Sequence, residues 1–188
     1  SQEIRFKDMN GNEFPKWEEK RLNQITQPIK RKADRAVEQI LTISAGNGFL
    51  RQQDRFSQVI AGRSLEKYTL LYENEFAYNR GNSKSYTYGC IYKLTLYKEA
   101  LVPNVYRSFA LLKGDPEFYE QLFISKYLDR QLRRLISSSA RMDGLLNIGQ
   151  EGFYNCVVPF PSEMEQKTIG CFLNNLDFRT TIITDQLM

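Results

Sequence analysis

The clearest pattern in the sequence is an apolar stripe near the C-terminus, which begins after Ser162 and runs to the end of the chain. Glu165 follows Ser162 by three positions, which is the spacing of a capping box at a helix start. The apolar positions then alternate in steps of four and three, as in a coiled-coil seam. The sequence therefore predicts an interaction helix whose seam is Ile169, Leu173, Leu176, Thr180, Ile183 and Leu187.

A second helix is predicted to begin at Asp115-Pro116. Aspartate is a favoured N-cap, and proline is tolerated at the first helical position because its missing amide would be unpaired there anyway. Apolar residues from Phe118 to Leu135 then follow the 3.6-residue period of a helix. The pattern predicts one continuous helix over this range.

Strand-like segments occupy the middle of the chain. Between Tyr86 and Leu96, aromatic and apolar residues share one parity, which predicts a half-buried strand with one aromatic face. Shorter strands are predicted at residues 39–43, 67–72, 75–78, around 102–112 and at about 153–158.

Together these elements predict an α+β fold, in which a mixed, twisted β-sheet domain with a few packed helices is followed by a protruding coiled-coil-type helix. We expect the domain to cover residues 1–158 and the helical segment to cover residues 159–188.

Composition narrows the possible function. The 188 residues are 41% hydrophobic and carry a formal net charge of +4, which allows a packed core and is compatible with a polyanionic partner. Cys90, Cys156 and Cys171 form no closely spaced pair, so a reducing cytoplasm is expected and no metal or other cofactor is predicted. No apolar run approaches the roughly 18 residues that a membrane span needs.

Histidine is absent from the sequence, which removes the commonest general base and metal ligand. The paired acids Glu18-Glu19 and Glu73-Asn74-Glu75 stand in polar surroundings, where we expect them to be solvated and ordinary. We find no adenine methyltransferase motif and no nuclease signature. A binding protein is therefore favoured over an enzyme.

Basic and amide-bearing residues recur in the predicted loops. Arginine and asparagine can read base edges with paired hydrogen bonds, while lysine anchors phosphates. Taken by itself, the basic run from Lys30 to Lys32 is better interpreted as a solvated loop, and Tyr86 equally well packs on a sheet. The candidate DNA contacts are Lys30, Arg31, Lys32, Asn47, Arg51, Arg80, Asn82, Ser83, Lys84, Tyr86, Arg107 and Arg141.

Three segments resemble a known family, the specificity (S) subunits of type I restriction–modification enzymes. Residues 4–22, with Gly11-Asn12-Glu13-Phe14-Pro15-Lys16-Trp17, look like the start of a target recognition domain. Residues 141–148 are similar to the stretch that precedes its end, and residues 157–170 resemble the passage into the long spacer helix.

The resemblance implies sequence-specific recognition of double-stranded DNA in the major groove, at one half of a bipartite target. Methyltransferase (M) and restriction (R) subunits would supply adenine methylation and DNA cleavage, so the chain itself would be non-catalytic. The terminal helix would be the start of the conserved spacer, and would pair with a second copy or with the other half of an S subunit. Because the chain holds one recognition domain, it resembles a half-subunit or a fragment. An interaction scaffold without base-specific contacts is the alternative.

Overall fold

The protein is described here by a computed structural model, which covers residues 6–55, 65–81, 83–136 and 144–187. Its ten strands are β1 (Glu18–Arg21), β2 (Thr26–Pro28), β3 (Leu41–Ser44), β4 (Gly48–Arg51), β5 (Thr69–Tyr72), β6 (Phe76–Asn79), β7 (Cys90–Lys93), β8 (Glu99–Val102), β9 (Arg107–Leu111) and β10 (Val157–Phe160) over the described residues.

The α-helices of the described residues are α1 (Leu22–Ile25), α2 (Gln52–Arg55), α3 (Pro116–Ile124), α4 (Asp129–Leu135), α5 (Gln150–Tyr154) and α6 (Glu163–Leu187). A four-stranded antiparallel sheet in the order β2-β9-β6-β7 forms the centre. Strand pairs β1-β10, β3-β4 and β5-β8 surround it. The expected α+β class is confirmed.

The central sheet is buried on both faces, and successive side chains of its inner strands enter different cores. Phe76 and Tyr78 of β6 belong to the core formed with α3, α4 and α5. Ala77, between them, belongs to a second core with β3, β5 and β8. All four residues of β7 are buried as well. The prediction of a half-buried strand with one aromatic face at residues 86–96 was therefore wrong in its burial. Helix α3 covers Ile91 and Lys93, which lie on the face opposite the aromatic one.

The helix predicted from Asp115 to Leu135 is interrupted. Its start is confirmed, since Asp115 Oδ1 accepts a hydrogen bond from the Phe118 amide at 3.0 Å. The chain leaves the helix after Ile124, and Lys126 adopts a left-handed conformation with φ of 63°. Helix α4 then resumes the apolar stripe, with Leu132 buried. The apolar spacing survives the break, so the sequence pattern alone did not reveal it.

The strand predicted at residues 153–158 is only partly correct. Its first residues belong to α5, and the strand β10 begins at Val157. The helical turn lets adjacent aromatic side chains both reach the core: Phe153 stacks on Tyr78 with ring centroids 4.9 Å apart, and Tyr154 is buried beside it.

Helix α6 begins as the capping pattern predicted, with the Glu165 amide donating to Ser162 Oγ at 3.4 Å. Its first turns pack against α3. Ile169, the first position of the predicted seam, contacts the main core, Leu173 is half-buried, and Leu176 is 45% exposed. The side chains of Thr180, Ile183 and Leu187 lie outside the described part of the helix. The first positions of the seam therefore pack against the protein's own domain.

A buried lysine links the sheet to these two helices. Lys93 of β7 has a fully buried side chain, which forms ion pairs with Glu117 and Glu120 of α3. Glu117 also accepts a hydrogen bond from Asn174 of α6, whose Oδ1 in turn accepts from Gln121 at 2.8 Å. The network satisfies the buried ammonium and ties the direction of α6 to the central sheet.

Gly170 is the point of closest approach between α6 and α3. A Cβ at this position would lie 2.9 Å from Glu117 Cβ and 2.9 Å from the Phe118 amide nitrogen. We predict that Gly170→Ala lowers the free energy of unfolding by about 1–3 kcal/mol, the usual cost of overpacking, even though alanine favours helices. Urea denaturation measures this cost, with Cys171→Ala at the exposed neighbouring position as the control. Equal effects of the two substitutions would contradict a close helix contact.

Glu120 should make stability depend on pH. Burial raises the pKa of Glu120 above its ordinary value of 4.5, Lys93 opposes the shift, and Glu117 adds to it. A carboxyl with a raised pKa contributes stability that is complete below its unfolded pKa and is lost as pH rises through the folded pKa. We therefore predict that Glu120→Gln reduces the fall in unfolding free energy between about pH 4 and pH 7. Glu151→Gln, at an exposed position, is the matched control. Identical pH profiles for wild type and Glu120→Gln would refute this role.

Candidate nucleic-acid interface

A basic cleft of about 370 Å³ opens beside the central sheet. We define the basic cleft by its lining residues, which come from the segment after β2, the start of β5, the end of β6, the turn between β8 and β9, and α5: Pro28, Ile29, Lys30, Lys32, Thr69, Arg80, Asn104, Val105, Tyr106, Arg107, Ser108, Gln150 and Tyr154. Among the described residues, the lining includes four cationic side chains and no carboxylate.

Strand pairing brings the two arginines of the cleft together. Strands β6 and β9 are antiparallel, with Tyr78 opposite Arg107, so the end of β6 meets the start of β9. Arg80 follows β6 directly, and the isolated bridge between Gly81 and Leu145 holds its backbone. Two residues that are 27 positions apart therefore place positive charge at the same edge of the sheet.

The Arg107 guanidinium is packed among aromatic rings. Its central carbon lies 5.0 Å from the centroid of Phe153 and 6.0 Å from that of Tyr78. Nη2 donates to the Ile148 carbonyl at 2.9 Å. Burial, followed by the nearby charge of Arg80, lowers the pKa of Arg107. Both effects show that the positive charge of Arg107 is only weakly compensated by its surroundings.

Arg80 is held by long contacts to backbone carbonyls. Nη1 lies 3.4 Å from the Leu146 carbonyl oxygen, and Nη2 lies 3.5 Å from that of Val105. Both distances exceed the ordinary range of such bonds. Arg80 can therefore exchange these partners for a stronger acceptor at little cost.

Some cations outside the basic cleft have carboxylate partners. Arg31 forms a two-bond pair with Glu75, both at 3.0 Å, and this pair raises the pKa of Arg31. The guanidinium also lies 4.2 Å from the centroid of Tyr72. The expectation that Glu75 would be solvated was wrong, because its side chain is only 12% exposed in this pair. Arg31 thus lies outside the basic cleft with its charge compensated.

Four buried side-chain atoms of the described residues lack a hydrogen-bond partner, and all four belong to residues that line the basic cleft: Arg80 Nε, Arg107 Nη1, Ser108 Oγ and Tyr154 OH. Burial raises the pKa of Tyr154 to about 12, with Arg107 opposing the shift, so its hydroxyl stays protonated near neutral pH. A buried polar atom without a partner costs about 1–3 kcal/mol, so such a cluster at one site calls for a physical explanation.

The predicted contacts divide into those inside and those outside the basic cleft. Lys30, Lys32, Arg80 and Arg107 line it. Lys32 Nζ also donates to the carbonyls of Lys67 and Tyr68. Asn82 and Arg141 lie outside the described residues.

The remaining predicted contacts are not in the lining of the cleft. Asn47 is at the β3-β4 turn, where its side chain donates to Ser44 Oγ at 3.2 Å. Arg51 Nε donates to the Tyr97 hydroxyl at 3.1 Å. Ser83 Oγ accepts from the Tyr86 amide at 3.1 Å, and the Tyr86 ring packs against the second core, with Lys126 above it. Lys84 is exposed. These residues do not form one surface with the cleft by any contact of the described chain.

Sequence reasoning missed the neutral polar residues of the basic cleft. Asn104 and Gln150 are exposed, whereas Ser108 and Tyr154 are buried. Tyr154 belongs to a segment that was expected to be a strand, and Ser108 belongs to the strand that was expected around residues 102–112. Only Asn104, in the turn after β8, could have been selected from the sequence, because it is an amide-bearing residue in a loop.

The described residues contain no helix long and apolar enough to cross a membrane. Within the same residues, no group of three or more cysteine, aspartate or glutamate side chains is arranged to hold a metal ion.

Comparison with known proteins gives a match in structure but not in sequence. No family model matches the chain, and no curated protein matches it either. Among solved structures, the HsdS subunit from Thermoanaerobacter tengcongensis superposes with a TM-score of 0.58 at 16% identity, over 90% of this chain and 44% of that chain. The type I restriction-modification system S subunit from M. genitalium superposes with a TM-score of 0.54 at 15% identity, over 90% and 41%.

A third structure, which concerns complex assembly and conformational transition of the type I R-M system, gives a TM-score of 0.58 at 14% identity, over 93% of this chain and 45% of that chain. The present chain spans less than half of the length of each of these proteins. It is therefore similar in fold to one part of a type I restriction–modification S subunit.

Proposed function

We propose that the chain is a target recognition domain of a type I restriction–modification specificity subunit and binds double-stranded DNA through the basic cleft. The observation that carries the proposal is the convergence of Lys30, Lys32, Arg80 and Arg107 in a cleft whose described lining residues include no carboxylate. Such a surface attracts the phosphate backbone of a duplex. The fold similarity to S subunits supports the same function.

Within this proposal, different residues have different tasks. Exposed Lys30 and Lys32 contact backbone phosphates, which position the protein on the duplex. Asn104 and Gln150 join the candidate base contacts, because exposed amides can make paired hydrogen bonds to adenine in the major groove. The candidates outside the cleft would have to contact more distant parts of the duplex.

The partners and the role of α6 follow from the same proposal. The chain would direct methyltransferase and restriction subunits to one half of a bipartite target in the cytoplasm, with methylation and cleavage carried out by those subunits. The part of α6 beyond its contacts with α3 would pair with a second copy or with the other half of the S subunit. The domain would then cover residues 1–158, with residues 159–188 beginning the spacer.

An interaction scaffold is the competing function, since Met164 and Phe172 of α6 are large apolar side chains that are 64% and 47% exposed. Selection from a random duplex library by an intact methyltransferase complex that contains this chain separates the two functions. Recognition predicts enrichment of one short half-site. Complex assembly without any enriched sequence would favour the scaffold.

Salt dependence tests the contact between the cleft and the DNA backbone. Each phosphate contact contributes about 0.9 to the slope of log K against log salt concentration, because binding releases condensed counterions. We predict that Lys30→Gln lowers this slope by about 0.9, measured by fluorescence anisotropy with the selected duplex.

Lys113→Gln provides the control, since Lys113 is exposed but does not line the basic cleft. The two substitutions remove the same charge from the protein. If both change the slope equally, the cleft has no special part in DNA binding, and net charge alone explains the affinity.

A further inference from the structure

Resting on the proposed DNA-binding function, we propose that Arg80, Arg107 and Tyr154 form a seat for a single phosphate group in the basic cleft. We call these three residues the phosphate seat. Arg107 lies opposite Tyr78 in the strand register, and Tyr154 is buried in the same core as Tyr78, so both side chains belong to one face of the sheet.

The charges of the phosphate seat select an anion. Arg80 and Arg107 lie close enough for the charge of Arg80 to lower the pKa of Arg107. Within the described residues, both guanidinium groups donate only to neutral carbonyls, whereas Arg31, Arg35 and Lys93 have carboxylate partners. Two neighbouring cations without a carboxylate repel each other until an anion comes between them.

The hydrogen-bonding groups of the phosphate seat suit a phosphate. Tyr154 adds a hydroxyl donor to the two guanidinium groups. A phosphate offers several acceptor oxygens, so it can accept hydrogen bonds from all three side chains.

The phosphate seat must tighten when its ligand arrives. The partnerless atoms of Arg80, Arg107 and Tyr154 are buried, so side chains of the cleft have to shift slightly for a ligand to reach them. Arg80 can move most readily, because its contacts to the Leu146 and Val105 carbonyls are long. The free protein carries the cost of the unpaired groups, and the ligand relieves it.

Removal of single hydroxyl groups distinguishes a binding role from a structural one. Tyr154→Phe deletes a buried hydroxyl that has no partner, so we expect the melting temperature to stay level or rise while affinity for the selected duplex falls about tenfold. Arg80→Gln, which removes a guanidinium held by long contacts to carbonyls, should likewise weaken DNA binding and provides a second variant if Tyr154→Phe fails to fold.

Tyr119→Phe is the matched control. The Tyr119 hydroxyl is also buried, but it donates to the Pro159 carbonyl at 3.1 Å. Its removal should lower the melting temperature and leave DNA affinity unchanged. The two substitutions are therefore expected to have opposite effects. Tyr154→Phe should weaken DNA binding without loss of stability, and Tyr119→Phe should lower stability without loss of DNA binding.

The source of the phosphate is tested with two probes on the 188-residue chain. In the first, single methylphosphonate substitutions are introduced along the selected duplex, each of which removes the charge of one phosphate. If the ligand is a DNA phosphate, one such substitution should weaken binding to wild type about tenfold. The same substitution should weaken binding to Tyr154→Phe much less, because that variant has already lost the contact. In the second, inorganic phosphate is titrated into the protein without DNA.

The outcomes separate this inference from the proposed function. If inorganic phosphate binds with the same dependence on Tyr154 but no duplex binds, the phosphate seat is a site for free phosphate. In that case the proposed DNA function fails. If the duplex binds and neither Tyr154→Phe nor Arg80→Gln changes its affinity, the phosphate seat fails and DNA recognition stands. If wild type binds neither probe, both are overturned.

Discussion

Buried positive charge is the constraint on which the arrangement of this domain depends. A cation removed from water is costly unless an opposite charge or several hydrogen bonds compensate it. Lys93 is compensated by Glu117 and Glu120, and Arg31 by Glu75. Arg80 and Arg107 instead contact neutral carbonyls at the basic cleft. Acidic residues thus neutralise Lys93 and Arg31, whereas Arg80 and Arg107 keep their positive charge at the basic cleft.

The compensated and uncompensated cations connect architecture to function. The pair of Lys93 with Glu117 joins the central sheet to α3, and Asn174 extends this network to α6. On the same sheet, the end of β6 and the start of β9 carry Arg80 and Arg107. Because both sets of residues are attached to one rigid sheet, α6 leaves the domain in a fixed direction relative to the basic cleft. A spacer helix needs such a relation if it is to set the position of a DNA-binding surface.

The fold class and several element boundaries followed from local signals. Asp115-Pro116 marked the start of α3, and Ser162 with Glu165 marked the start of α6, because a cap acts on amides only a few residues away. The break at Lys126 and the helical state of Phe153 and Tyr154 were not readable, since the apolar spacing fits either conformation and packing decides between them. The double burial of β7 depended on strands against one face and helix α3 against the other, which come from other parts of the sequence.

By itself, the sequence determined a histidine-free, mildly basic α+β chain with a capped terminal helix and loop cations suited to DNA. Residue identity limits the chemistry, and caps and periodicity act over a few residues, so these properties needed no tertiary information. Only the tertiary structure decided that Arg80 and Arg107 converge while Arg31 turns to Glu75. It also placed Ser108 and Tyr154 beside those arginines. The physical reason is that strand register and core packing join residues distant in the chain, and the charge of a side chain becomes available for binding only where the fold supplies no partner for it.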